Sequence, residues 1–304
     1  MAQADSPPVA GSRWLLTIAK VISLALASLS ALLVAVGYLW VKPLRLLLEE
    51  PIPPDVSAED VYFSSRDSTR LHGLYMAGRA GYPVLILCHG YFKSVAEPFG
   101  LACELNRLGY QVLLIDFRAC GLSAGRFTTL GHREVLDVLG AVDYLRARLG
   151  DLPIGVLGIS MGAVAAIMAA AECPHIRAMV ADSAYADLES AIGKKLADYL
   201  RLPCLARLGW VSIRIGERIS RGKLVAVRAV DYVGRFAPRP LLLIYGELDD
   251  YLPSDHPQRL FDAASEPKEL WLAAGSGHAM ARLDHPQEYV QRVEAFFGRH
   301  LSSP

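Results

Sequence analysis

The pentapeptide Gly158-Ile159-Ser160-Met161-Gly162 sets a serine between two glycines where an apolar run, IGVLGI (154–159), gives way to the alanine-rich MGAVAAIMAAAE (161–172). A strand-turn-helix passage of this kind holds a serine hydroxyl out at the carboxyl edge of a sheet. The glycines are needed because a Cβ at either flanking position would strike a neighbouring element. The chemistry this suggests is nucleophilic attack, for which a hydroxyl needs a base. Read alone the pattern is short, and a turn serine ahead of a helix would look the same.

Of the eight histidines, His278 has the setting a base requires. It lies in GSGHAM (275–280), a small-residue loop between the run ELWLAA (269–274) and the last helical segment. His285 reads as a capping or surface residue, and His72, His132, His175, His256 and His300 as structural or exposed. An imidazole in this role needs an acid to fix its tautomer and stabilise its charged form. Asp249 in GELDDYLP (246–253) follows the run PLLLIYG (240–246) and is the first candidate, with Asp250 and Glu247 as alternatives in the same loop. The turn HGYFKS (89–94), after VLILC (84–88), can offer the amide of Tyr91 beside that of Met161 to an oxyanion. A plain turn after a strand is the simpler account of His89 and Gly90.

These residues need a scaffold that gathers strand ends. VLILC, QVLLIDF (111–117), IGVLGI, IRAMVAD (176–182), PLLLIYG and ELWLAA alternate with helical segments and do not alternate in polarity internally. Such runs fit strands covered on both faces, so the class is α/β: a mostly parallel central sheet of about eight strands flanked by helices. VYFSS (61–65) and LHGLYMA (71–77), separated by a polar turn, add an antiparallel pair. Tyr289, Val293, Phe296 and Phe297 form one apolar stripe on a terminal helix. DHPQ occurs at 255–258 and 284–287, and each copy reads as a helix start with Asp as the cap. The stretch of about 184–238 is too long for an ordinary connection. Its helical patterns suggest a cap beside the ligand crevice. GWVSIRIGERIS (209–220) within it reads as a helix packing on the domain, with contact to a membrane surface as the rival.

Balanced charge, 31 basic against 31 acidic residues with no basic block, argues against nucleic acid as a partner. The five cysteines, Cys88, Cys103, Cys120, Cys173 and Cys204, show no paired spacing, which argues against a disulfide scaffold or a structural zinc site. Residues 21–40, VISLALASLSALLVAVGYLW, form an uncharged stretch long enough to cross a bilayer as a helix. Trp14 and Lys20 before it, and Tyr38, Trp40, Lys42 and Arg45 at its far end, are interfacial anchors. An uncleaved single-pass anchor is expected over a signal peptide, because the apolar run is long and lacks a small-residue cleavage site. Basic residues on the two flanks tie, and the short leader favours a domain outside the cytoplasm. The expected organisation is a tail and transmembrane anchor at 1–48, a proline-rich linker at 49–59 and one domain at 60–304.

With these motifs assembled, the chain from about Asp60 onward resembles an α/β-hydrolase-fold protein, in particular the membrane-anchored serine hydrolases and peptidase-like members with a small cap. The resemblance rests on FSSRDSTRLHGLYM (63–76), CHGYFKS (88–94), DFRACGLSAG (116–125), GISMG, YGELDDYLP (245–253) and SGHAM (276–280). It implies Ser160, Asp249 and His278 as a triad and Tyr91 and Met161 as oxyanion donors. It also implies hydrolysis of a carboxylic ester, thioester or amide of a small-molecule or lipid-like acyl substrate, with neither metal nor organic cofactor. A serine aminopeptidase-like activity and a non-catalytic binding role are the alternatives. For the first, Asp187 and Glu189 are the acids that could hold a peptide's amine. Two positions depart from the family pattern: Ala119 stands where Gly is usual, and SRDS (65–68) replaces S-x-D-G.

Overall fold

In the computed structural model, residues 10–48, 51–201 and 208–301 are described. Eight strands form one sheet: β1 (Ala58–Ser64), β2 (Arg70–Met76), β3 (Val84–Cys88), β4 (Gln111–Asp116), β5 (Ile154–Ile159), β6 (Ile176–Asp182), β7 (Leu241–Gly246) and β8 (Lys268–Ala273). Their order across the sheet is β1-β2-β4-β3-β5-β6-β7-β8. β2 runs antiparallel to both β1 and β4, and every other pairing is parallel. Every residue of β3, β4, β5 and β7 is buried, which is why these strands read as unbroken apolar runs.

Helices cover both faces. Besides α1 (Ala10–Val41) they are α2 (Phe99–Arg107), α3 (Glu134–Leu149), α4 (Met161–Glu172), α5 (Leu188–Leu200), α6 (Leu208–Ser220), α7 (His256–Ala263), α8 (Ala281–Asp284) and α9 (Pro286–Leu301). α4 is buried from Met161 to Ala170, and its alanines let it lie close to the sheet. The stripe on α9 is buried as its spacing predicts: Tyr289, Val293, Phe296 and Phe297 pack with Leu85, Leu157 and Val180 of the sheet. The paired DHPQ segments behave differently from their capping-box reading. Asp255 precedes α7 in a helical conformation (φ −85°, ψ −12°), so its carboxylate does not fold back on the first turn. Asp284 ends α8 instead of opening α9.

Between β6 and β7 the chain leaves the sheet to build α5, α6 and three short 3-10 turns. α6 packs on the domain through α5 and the 3-10 turn that follows it, as its pattern suggests, and its other side lies against α1. Two glycines permit the approach: a Cβ on Gly37 of α1 would lie 2.7 Å from the Ile215 side chain, and one on Gly216 of α6 would lie 3.2 Å from Val41. Trp14–Val41, at 28 residues and mean hydropathy 2.2, is long and apolar enough to cross a membrane. Its side chains are exposed over the first turns, and only Leu33, Val36, Gly37, Trp40 and Val41 form a covered stripe at helical spacing.

The connection after α1 is not a free spacer. The Arg45 guanidinium donates to the carbonyls of Gly121, Ser123 and Gly125 at 2.6 to 2.9 Å, and Asp55 pairs with Arg107 at 2.7 Å. Glu49 and Glu50 lie outside the described residues, and Ala58 and Glu59 already belong to β1.

Candidate active site

The turn between β5 and α4 carries Ser160 with φ 51° and ψ −112°, a backbone conformation that costs an L-residue energy. It persists because its surroundings fix it. The Ser160 amide donates to the Asp182 carbonyl at 2.7 Å. A Cβ on Gly158 would meet the Ala163 backbone at 2.5 Å, and one on Gly162 would meet the Cys88 and His89 carbonyls at 2.5 Å. Only glycine fits on either side of this serine.

His278 Nε2 lies 3.0 Å from Ser160 Oγ, and its Nδ1 lies 2.7 Å from Asp249 Oδ2. Both Asp249 and His278 stand on loops that leave adjacent parallel strands, β7 and β8, at the same edge as the serine. The second Asp249 oxygen, Oδ1, accepts from the amides of Tyr251 and Leu252 at 2.9 and 3.2 Å, which aims the carboxylate at the imidazole. The Tyr251 ring stacks on His278 with centroids 4.6 Å apart, and Lys195 Nζ lies 3.5 Å from that ring's centre. The two alternative acids are placed elsewhere. Glu247 is exposed and accepts from the Gly275 amide at 3.1 Å, bracing the histidine loop, while Asp250 is exposed.

His89 is a structural residue. Its Nε2 accepts from the Phe117 amide at 3.0 Å, so Nδ1 carries the proton and donates to the Gly90 carbonyl at 2.7 Å. Glu97 takes the Gly90 amide at 2.6 Å. The turn is thereby held with Tyr91 beside the serine, and the amides of Tyr91 and Met161 have no hydrogen-bond acceptor among the described residues. Both residues line the same cleft as Ser160, together with Trp40, Tyr185, Leu188 and Ile192. Among the described residues no carboxylate lines that cleft, and its charged member is Lys195. Asp187, considered above for a peptide amine, is spent on capping α5 through Ser190 and on Arg259 at 2.7 Å. Glu189 is exposed.

Sequence reasoning missed Trp40 as a cleft residue, since an apolar run gives no signal for what its last turn will touch. It also passed over a second buried Asp-His contact. His72 on β2 lies between Asp116 (Nδ1 to Oδ2, 2.7 Å) and Asp60 (Nε2 to Oδ1, 2.8 Å). Asp116 additionally accepts from the amides of Val95 and Leu122 at 2.9 Å, tying the loops after β3 and β4 together. Burial opposes charge on His72, but the two carboxylates outweigh it and raise the imidazole's pKa. His256 is likewise fully buried, with Ser190 Oγ at 2.8 Å from Nε2. Among the described residues no cluster of His, Cys, Asp or Glu is arranged to hold a metal ion. Cys88, Cys103, Cys120 and Cys173 are buried and form no disulfide among the described residues, and Cys204 lies outside them.

Comparison with known proteins agrees with this architecture. A family model of the alpha/beta hydrolase fold matches residues 83–203. The uncharacterized protein MT2364 of Mycobacterium tuberculosis is 30% identical over 254 residues, covering 80% of this chain and 83% of that protein. The chain belongs to the alpha/beta hydrolase fold family. Another family relative, the uncharacterized protein YqkD of Bacillus subtilis, is 29% identical over 233 residues and 74% of each chain. Among solved structures, the Pyrococcus furiosus esterase Pf2001 superimposes with a TM-score of 0.72 at 28% identity, covering 86% of this chain and 99% of that one. This hydrolase-fold chain thus shares sequence and shape with a known esterase across 86% of its length.

Proposed function

We propose that this chain is a membrane-anchored serine hydrolase that cleaves carboxylic esters through an acyl-enzyme on Ser160. The observation that carries the reading is the continuous contact from Asp249 through His278 to the Ser160 hydroxyl, with links of 2.7 and 3.0 Å. In the proposed cycle His278 Nε2 takes the hydroxyl proton as Ser160 Oγ attacks the ester carbonyl. Asp249 holds Nδ1–H and stabilises the imidazolium. The amides of Tyr91 and Met161 donate to the tetrahedral oxyanion, where pre-aimed donors contribute about 3 kcal/mol each. The intermediate collapses, His278 returns the proton to the departing alkoxide, and the alcohol leaves. Water, deprotonated by the same imidazole, then attacks the acyl-enzyme and releases the acid.

An ester is favoured over a peptide because the cleft lining is mostly apolar, its charged member Lys195 would repel a free amine, and no acid lines it among the described residues, and because the esterase Pf2001 is a relative at 28% identity. Retention of α1 as an anchor is supported by its docking: cleavage after it would strip α6 of one of its partners and remove Trp40 from the cleft. The test is labelling of the purified full-length protein with a fluorophosphonate. Wild type is expected to label, while Ser160→Ala and His278→Ala do not. A folded wild type that takes no label and hydrolyses no p-nitrophenyl ester would refute the reading.

A further inference from the structure

The last turn of α1 is joined to the hydrolase domain more tightly than a tether requires. A helix leaves its final four carbonyls without partners of its own. Here Tyr91 Oη donates to the Leu39 and Trp40 carbonyls at 3.1 and 2.6 Å, and the Thr128 amide donates to the Val41 carbonyl at 2.9 Å. The domain thus caps the anchor. Tyr91 is the residue whose amide faces the serine, so its side chain and its backbone serve the two structures at once.

Trp40 lies in that turn and lines the cleft. Its ring centre is 6.4 Å from that of Tyr91. Its indole N–H is buried and has no acceptor among the described residues. Packing alone therefore holds the ring in place. The cleft contains Ser160 and the two oxyanion-donor residues but not His278. Ser160 and the two oxyanion-donor residues are the groups that would hold the acyl carbonyl, and this makes the cleft the place for the acyl chain. The space within it open to the centre of a water molecule is only about 40 Å³. That holds roughly three waters, or an acyl chain of about two to four carbons.

We infer that Trp40, contributed by the membrane helix, is the specificity-determining residue that closes the acyl pocket, and that the substrates are short-chain acyl esters. This rests on the serine-hydrolase reading above and names the substrate class for that same site. With the indole in place the enclosed part of the cleft is short, which disfavours a lipid-length chain.

The experiment measures kcat/KM of the full-length protein in nanodiscs on p-nitrophenyl acetate, butyrate, octanoate and dodecanoate, alongside fluorophosphonate labelling. Wild type should fall steeply beyond butyrate. Trp40→Ala should raise the octanoate-to-acetate ratio at least about tenfold, since each methylene newly buried is worth about fourfold. Because the ratio is taken within one protein, a partial loss of folded enzyme cancels. Trp40→Leu, which keeps an apolar side chain in the α1 stripe, carries the same test with a smaller shift if the alanine variant does not fold. A wild-type profile flat to dodecanoate, or an unchanged ratio in the folded Trp40 variants, overturns the inference while labelling of wild type leaves the serine-hydrolase reading standing. Absence of both labelling and ester hydrolysis in wild type overturns both.

Discussion

Two histidines in this chain each place Nδ1 2.7 Å from an aspartate, yet of the two only His278 stands beside a serine hydroxyl. The difference lies on the other ring nitrogen. Nε2 of His278 faces the Ser160 hydroxyl at 3.0 Å, and that serine lines a cleft a ligand can enter. Nε2 of His72 faces a second carboxylate, Asp60, at 2.8 Å. A ring held between two acids is biased toward its charged form and binds strands and loops together, with neither nitrogen left to face a substrate. An Asp-His contact is therefore not a signature of catalysis. What matters is what the far nitrogen meets and whether a substrate can reach it.

Substitutions should separate the two sites cleanly. The largest effect is expected at the cleft: Ser160→Ala or His278→Ala should lower kcat on a p-nitrophenyl ester by on the order of 10⁵ with an unchanged melting temperature. Asp249→Asn should cost about 10³ to 10⁴, again without loss of fold, because the imidazole loses its tautomer control. At the second site the outcome reverses. His72→Ala leaves Asp116 charged and buried without its cation, and should destabilise the protein by about 3 kcal/mol. Calorimetry would read this as a Tm lower by roughly 6 to 10 °C. Activity per folded molecule should change by less than about threefold, well inside what loss of a catalytic group would produce. A His72 variant that kept its Tm and lost activity would erase the distinction drawn here.

The pH dependence of stability sharpens it further. Burial works against charge on His72, but its contacts with Asp116 and Asp60 raise its pKa in the fold. Its stabilisation is then fully present below the unfolded value of about 6.5 and is lost as pH rises through the folded value. Burial of Asp116 is outweighed by its bonds to His72 and to backbone amides, and its pKa is lowered. That contribution is present above about 3.9 and is lost as pH falls through the folded value. The Tm difference between wild type and His72→Gln should be largest in the window between those limits and shrink as the pH is raised. A difference that grew with pH would contradict the assignment.

The smallest effect concerns the loops that carry the structural site. Ala119 and Ser68, the two departures from the family pattern, both have left-handed backbones, with φ of 64° and 66°. The loop geometry has been kept without the glycine that suits it, at a cost in strain. Ala119→Gly should raise stability by about 1 kcal/mol, a Tm gain of roughly 2 to 4 °C, and leave ester hydrolysis unaltered.

Much of this molecule was legible in the residues themselves. The buried strands show as unbroken apolar runs, and β3 and β5 begin and end where those runs do, because a strand covered on both faces admits no polar residue to blur its limits. The glycines around Ser160 are legible for a similar reason: a turn that leaves no room for a Cβ restricts residue type directly. The acid was less so, since Glu247, Asp249 and Asp250 share one loop and composition does not say which side chain turns inward. Backbone amides at Tyr251 and Leu252 decide that. Least legible was the role of α1. Its apolar run announces a membrane helix by hydropathy, a property summed over the whole segment. That its final turn is capped by Tyr91 and Thr128 and places Trp40 in the lining of the cleft depends on contacts with residues 50 or more positions away in the chain. Periodicity and hydropathy report what one segment buries. Only the tertiary structure decides against what, and so which apolar side chain becomes the wall of a reaction site.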